Sequence, residues 1–125
     1  LCVYGTTTLV AEKYRALLQQ PIRGRNRRQD AFDLDYLLKA QPELYSDTMR
    51  QSVLDDLIVK CRDRDIEPTA DSMANPEVRE LSAKDYGTLA DELEEGTLPP
   101  FDDVFTKVMD YYASLPWKTG LTPFA

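Results

Sequence analysis

Residues 11–38 read AEKYRALLQQPIRGRNRRQDAFDLDYLL, two helix-like runs with a basic segment between them. Apolar residues in the first run recur at helical spacing, and Pro21 is expected to end that helix. The segment IRGRNRR contains Gly24 and Asn26 and has no apolar period, so it is predicted to be a loop. The stretch therefore predicts a helical hairpin, and this hairpin sets the fold class.

The second helix of the hairpin is predicted over about 28–40, RQDAFDLDYLLKA. Asp30 and Asp33 lie three residues apart and so project from one face, whereas Asp35 points away and is expected to be solvated or paired elsewhere. The apolar residues of this helix cover most of its circumference, which is typical of a buried helix. They are Phe32, Leu34, Tyr36, Leu37 and Leu38.

The chain on either side of the hairpin also favours helices. Residues 1–5 are predicted to be extended, and one of the threonines at 6–8 is expected to cap the first helix. Ser46 or Asp47 is expected to cap a third helix, and Asn75 with Pro76 to begin a short fourth.

Two more helices are predicted towards the end of the chain. One runs from Ser82 or Lys84 to Glu94, and the clearest amphipathic pattern follows it, in FDDVFTKVMDYYASLPW at 101–117. We predict an all-α fold, a single domain of five or six helices over residues 1–125 with a short extended N-terminal lead-in.

Composition excludes several classes of site. No stretch reaches the roughly 20 apolar residues that span a bilayer, so no membrane association is predicted. The sequence contains no histidine, which excludes zinc sites with histidine ligands and histidine-based catalysis within this chain. Two cysteines are too few for a disulfide framework, and a reduced, cytoplasmic protein is expected.

The net charge of −7 is unevenly distributed. Residues 1–40 contain seven Lys and Arg against four Asp and Glu, whereas residues 41–125 contain eight against eighteen. An acidic body repels nucleic acid, but a local basic segment can still contact phosphate. We therefore expect the two regions to face different partners.

Lys13, the arginines of the basic segment and the two aspartates have two interpretations. Residue by residue, Asp30 can cap its helix, Asp33 can pair with an arginine, and Lys13 can be solvated. Taken together, two carboxylates on a nearly apolar helix need a positive partner, which Lys13 can supply. Lys13 can equally hold a nucleotide phosphate, with the arginines neutralising triphosphate or RNA, as in phosphoryl or nucleotidyl transfer.

The runs VYGTTTLVAEKYRALL and RRQDAFDLDYLL resemble the C-terminal part of the AbiEii/AbiGii family. These are nucleotidyltransferase-like toxins of type IV toxin–antitoxin and abortive-infection (phage defence) systems. The family motifs, approximately AEKlxAL and RDxxDLyyLL, match residues 11–17 and 30–38. The resemblance is specific over about the first forty residues.

The resemblance implies that this is the C-terminal helical domain of a nucleotidyltransferase. A family member would transfer a nucleotidyl group from an NTP to an acceptor such as tRNA or protein. Carried over residue by residue, it assigns Lys13 to a nucleotide phosphate, and either Asp33 or Asp30 to orienting that lysine or assisting the acceptor. The catalytic candidates are therefore Lys13, Asp30 and Asp33. Arg28, one position from the place of the family's arginine, is a further candidate for nucleotide binding. From the residues alone, the loop residues Arg23, Arg25 and Arg27 are candidates for RNA contact, and an ordinary mobile loop is the alternative.

The family's α/β core, with its Gly–Ser motif and the carboxylates that bind Mg²⁺, is not found in this sequence. It is expected upstream of Leu1, so that no metal is bound within the present chain and the chain alone is inactive. Gln29 also replaces the arginine that precedes the family's first aspartate. The expected partners are the upstream core, an antitoxin and tRNA. The alternative is a non-catalytic helical module that binds RNA or a partner protein such as the antitoxin.

Overall fold

The computed structural model describes residues 3–24, 28–93 and 96–117, without the side chains of Val3, Tyr4 and Arg28. These residues form five α-helices and three short 3₁₀ helices and contain no strand, so the all-α prediction is confirmed. The α-helices are α1 (Val3–Arg23), α2 (Arg28–Ala40), α3 (Asp47–Arg62), α4 (Pro76–Ala83) and α5 (Phe101–Ser114). The 3₁₀ helices are Pro42–Tyr45, Ser72–Ala74 and Tyr86–Glu92. None of the described helices has the length and apolar character needed to cross a membrane.

The expected extended lead-in is wrong for the part of it that the structure describes, because α1 already begins at Val3. The β-branched and aromatic residues that suggested a strand have only weak intrinsic preferences, which packing overrides. The threonines lie inside the helix and do not cap it. Thr7 is buried, and the hydroxyl of Thr8 donates to Asp56 of α3 at 3.3 Å.

The end of α1 also differs from the prediction, since the helix passes through Pro21 and continues to Arg23. A proline inside a helix deprives the carbonyl four residues earlier of its usual N–H partner. Here that carbonyl belongs to Leu17, and the side-chain amide of Gln20 donates to it at 3.1 Å. The helix ends instead at Gly24, whose φ of 66° is the left-handed conformation common at helix C-termini.

The later helices largely follow the prediction. Ser46 caps α3 by accepting a hydrogen bond from the backbone of Met49 at 3.2 Å. Asn75 caps α4 in the same way, with Pro76 at its first position. The helix expected from about residue 82 is a 3₁₀ helix instead, and it covers only Tyr86–Glu92.

The core lies between α1, α2 and the helices that follow them. α1 packs against α2, α3 and α4, and α2 also packs against α5. Three buried tyrosines each donate their hydroxyl at 2.7 Å to a carbonyl of a distant segment, which satisfies the polar end of the ring. They are Tyr14, Tyr111 and Tyr112, whose acceptors are Val108, Leu44 and Thr69. This framework fixes the position of α1 against α2, where the candidate site lies.

Candidate functional site

Lys13 lies between the two aspartates that the sequence pattern placed on one face of α2. Its Nζ atom is 2.8 Å from Oδ2 of Asp33 and 3.2 Å from Oδ1 of Asp30. Asp30 stands in the first turn of α2, where a carboxylate also suits the helix dipole. The structure therefore confirms Lys13 as the positive partner of both carboxylates, while the catalytic roles of the three residues stay predictions.

The three charged groups differ in burial. Asp30 is 2% exposed, whereas the side chains of Lys13 and Asp33 are 22% and 26% exposed. Partial burial by itself lowers the pKa of Lys13, but the hydrogen bond to Asp33 and the charges of both aspartates outweigh it. The pKa is therefore raised above its usual 10.5, and the ammonium is charged at neutral pH. One ammonium and two carboxylates leave a formal charge of −1.

An open pocket of about 250 Å³ adjoins this cluster. Lys13 and Asp33 form its polar wall, and Leu9, Tyr36 and Leu37 line the remainder. An ammonium has three N–H donors, and the two aspartates account for two of them. Lys13 can therefore offer its third donor to a ligand in the pocket, beside the acceptor oxygens of Asp33.

The apolar wall of the pocket was not foreseen as part of a site. Tyr36 was expected to be buried with the rest of its helix, but it is 64% exposed, and Leu9 is 42% exposed. Spacing alone indicates where both lie: Tyr36 is three residues after Asp33, and Leu9 is four before Lys13. The sequence pattern did not predict that the rest of the fold leaves both side chains exposed.

Asp35 lies apart from this site, as the sequence predicted. It is 3% exposed, and the Nζ atoms of Lys39 and Lys107 lie 2.9 Å and 3.9 Å from its carboxylate oxygens. Of the two possibilities left open, pairing elsewhere is therefore confirmed. The contacts show Asp35 joining α2 to α5 and give it no place in the pocket.

The structure describes the predicted basic segment only in part. Arg23 is exposed in the last turn of α1, ten residues after Lys13 and thus about 15 Å further along the helix. Arg25, Arg27 and the side chain of Arg28 lie outside the described part of the chain. The assignments of Arg28 to nucleotide and of the other three arginines to RNA stay predictions.

The described residues do not fit a metal ion. No group of three or more carboxylate or cysteine side chains within them is arranged to hold one. The two aspartates of the candidate site already hold the Lys13 ammonium. Magnesium needs several oxygen ligands near ideal octahedral geometry, which this arrangement does not supply.

Comparison with protein families identifies the family to which this chain belongs. The family model described as "Nucleotidyl transferase AbiEii toxin, Type IV TA system" matches residues 1–107. The chain belongs to the AbiEii family. The match includes Lys13, Asp30 and Asp33 and extends well beyond the forty residues that first suggested the resemblance. Searches of curated proteins and of solved structures find no match.

Membership of the AbiEii family has one direct consequence for partners. A toxin of a type IV toxin–antitoxin system is paired with a cognate antitoxin, so the family implies such a partner for this chain. The candidate site lies on α1 and α2, which the AbiEii match covers completely.

Proposed function

We propose that this chain is the helical domain of an AbiEii nucleotidyltransferase, and that Lys13 holds a phosphate of the NTP. The single observation that supports this role most directly is the position of the Lys13 ammonium. Two carboxylates hold it in the wall of an open pocket and leave its third N–H available. Lysine acts in such sites as a point charge for phosphate.

The two aspartates would then have different tasks. Asp30 is buried and can orient the ammonium, since a buried carboxylate with a charged partner is costly to displace. Asp33 lines the pocket and is more exposed. It can accept the proton of an acceptor hydroxyl as that oxygen attacks the α-phosphorus and pyrophosphate leaves.

The charge of the site limits what it can do alone. With a formal charge of −1, the cluster does not attract a triphosphate strongly unless other positive groups join it. We propose that Arg28 and an upstream core that binds Mg²⁺ supply them. The full-length toxin, in the cytoplasm, would transfer a nucleotidyl group to tRNA or protein, and the present chain alone would be inactive.

The test is nucleotidyl transfer by the full-length protein, given labelled NTP, Mg²⁺ and candidate RNA or protein acceptors. Lys13→Met should reduce transfer strongly, and Lys13→Arg should restore part of it because the positive charge remains. Lys60→Met is a matched control, since Lys60 pairs with Glu12 outside the pocket at 3.5 Å. Undiminished transfer by a folded Lys13→Met protein would overturn the assignment.

The alternative, a non-catalytic module, makes a different prediction. RNA affinity would then fall steeply with salt and disappear when Arg23, Arg25, Arg27 and Arg28 are neutralised. Lys13→Met should reduce that affinity far less than neutralising the four arginines, because the basic segment would then hold the RNA. Salt-dependent RNA binding without any transfer would favour this alternative.

A further inference from the structure

The apolar end of the pocket has no role in the site as described so far. Five large apolar side chains are exposed among the described residues: Leu9, Ile22, Tyr36, Tyr45 and Val59. Two of them, Leu9 and Tyr36, line the same pocket as Lys13 and Asp33. Exposed aromatic and aliphatic groups that share a concave surface with charged groups are typical of ligand sites.

The two helices place the apolar and charged groups at a defined separation. Leu9 lies one turn before Lys13 on α1, and Tyr36 and Leu37 lie about one turn after Asp33 on α2. Because all of these residues line one pocket, both turns extend in the same direction from the charged pair. The apolar residues therefore lie about one helical turn, roughly 5 to 6 Å, from the backbone positions of Lys13 and Asp33 along the helices.

We propose that this apolar end binds the base of the nucleotide, with the Tyr36 ring as its stacking surface and Leu9 and Leu37 beside it. The inference rests on the proposed function, in which Lys13 binds phosphate. One helical turn is about the length of the sugar that separates a phosphate from its base. The pocket volume of about 250 Å³ is below the usual range for a whole drug-sized ligand, so it suits one ring system.

The pocket also indicates how selective the base site is. Its lining at this end is two leucines and a tyrosine, which offer surface for stacking but few groups for reading a base edge. Stacking on an aromatic ring tolerates every base, because each has a π face. We therefore expect weak discrimination among the four bases, with purines preferred for their larger area.

The experiment compares the affinities of the full-length protein, with Mg²⁺, for ATP and for inorganic triphosphate by calorimetry. Tyr36→Ala should weaken ATP binding roughly 5- to 150-fold and leave triphosphate binding unchanged. Tyr36→Phe should bind ATP like the parent chain. Val59→Ala is the matched control, since Val59 is 62% exposed on α3 and outside the pocket.

Two results would overturn the base site: equal affinity of the parent protein for the two ligands, or equal loss of both affinities in Tyr36→Ala. Binding of neither ligand would overturn the proposed function, and the base site with it. A change in oligomeric mass of nucleotide-free Tyr36→Ala would overturn the base site too, because the patch would then be covered by a second copy. Failure of the proposed function is recognised separately. In that case Lys13→Met would leave triphosphate affinity unchanged, whatever the effect of Tyr36→Ala.

Discussion

The ammonium of Lys13 lies 2.8 Å from the carboxylate of Asp33, twenty residues further along the chain and on the neighbouring helix. The same ammonium contacts Asp30, which the fold buries almost completely. A single cation thus joins α1 to α2 through one buried and one partly exposed carboxylate. This arrangement lets stability and function be tested separately at the same site.

The energetic coupling of Lys13 to Asp30 is the first prediction. Lys13→Met leaves the buried Asp30 carboxylate without its ammonium, and we expect a loss of about 3 kcal/mol in the free energy of unfolding. Asp30→Asn in the same chain removes the buried charge that Lys13 helped to balance, so the double variant should be more stable than Lys13→Met alone. Urea denaturation of both single variants and the double variant measures the coupling. If the losses in unfolding free energy of the two single variants simply add in the double variant, the predicted coupling is contradicted.

Asp33 should matter more for activity than for stability. Its side chain is 26% exposed, so Asp33→Asn should cost about 1 kcal/mol or less in unfolding free energy. If Asp33 accepts the proton of the acceptor, the same change should lower transfer by the full-length protein at least about 100-fold. Asp103→Asn, at an exposed aspartate in the first turn of α5, is the control. Normal transfer by Asp33→Asn would remove Asp33 from catalysis.

The hydrogen bonds of Gln20 compensate for the proline inside α1. Its amide donates to the Leu17 carbonyl at 3.1 Å and to the Ser82 hydroxyl at 3.0 Å. Gln20→Leu should cost about 1–3 kcal/mol, because buried polar groups lose their partner. Pro21→Ala supplies the missing backbone N–H, so Gln20→Leu should cost less in that background. Equal costs in the two backgrounds, measured by urea denaturation, would show that Gln20 does not compensate for Pro21.

Alkaline pH should unfold the protein through its tyrosines. Burial raises the pKa of Tyr111 to about 12, and it also raises the pKa values of Tyr14 and Tyr112 above the usual value of 10.0. Above pH 10 the unfolded state therefore binds fewer protons than the folded state, and stability falls as pH rises. Each such tyrosine lowers the free energy of unfolding by up to about 1.4 kcal/mol per pH unit, until the pH reaches its pKa in the folded state.

The alkaline transition can be followed by tyrosinate absorbance and circular dichroism together. We expect most tyrosinate to appear only as the helical signal is lost, at a pH well above 10, because the fold keeps these rings protonated. Tyr112→Phe should make the fall in stability with pH less steep. Gradual ionisation of all tyrosines near pH 10 in the fully helical protein would contradict the buried positions of these rings.

The sequence predicted most helices but misplaced both ends of α1. The rules for local sequence overestimated the effect of Pro21 and of residues 3–5 on the helix ends. Such rules take no account of partners elsewhere in the fold. Gln20 reaches the carbonyl that Pro21 leaves without a backbone donor, and its other contact, Ser82, lies 62 residues away. The hydroxyl of Thr8 donates to Asp56, which lies 48 residues further along the chain. Such long-range contacts cannot be read from a local pattern.

The candidate site was predictable for its charged part only. Helical spacing placed Asp30 and Asp33 on one face, and the short connection between the helices brought Lys13 within reach. Exposure of Tyr36 and Leu9 depends on which surfaces the later helices cover, and no spacing rule states that. The motif residues therefore emerged from the sequence, whereas the apolar end of the pocket required the three-dimensional structure.

The most direct test of the central claim, that Lys13 binds nucleotide phosphate, follows the lysine side chains of the full-length protein, with Mg²⁺, by nuclear magnetic resonance. Lysine labelled with ¹³C at Cε gives one resonance for each side chain, and Lys13→Arg identifies the signal of Lys13. On titration with ATP, we expect the Lys13 resonance to shift in a saturable manner while that of Lys60 does not. A Lys13 resonance that stays unchanged at saturating ATP would contradict the claim.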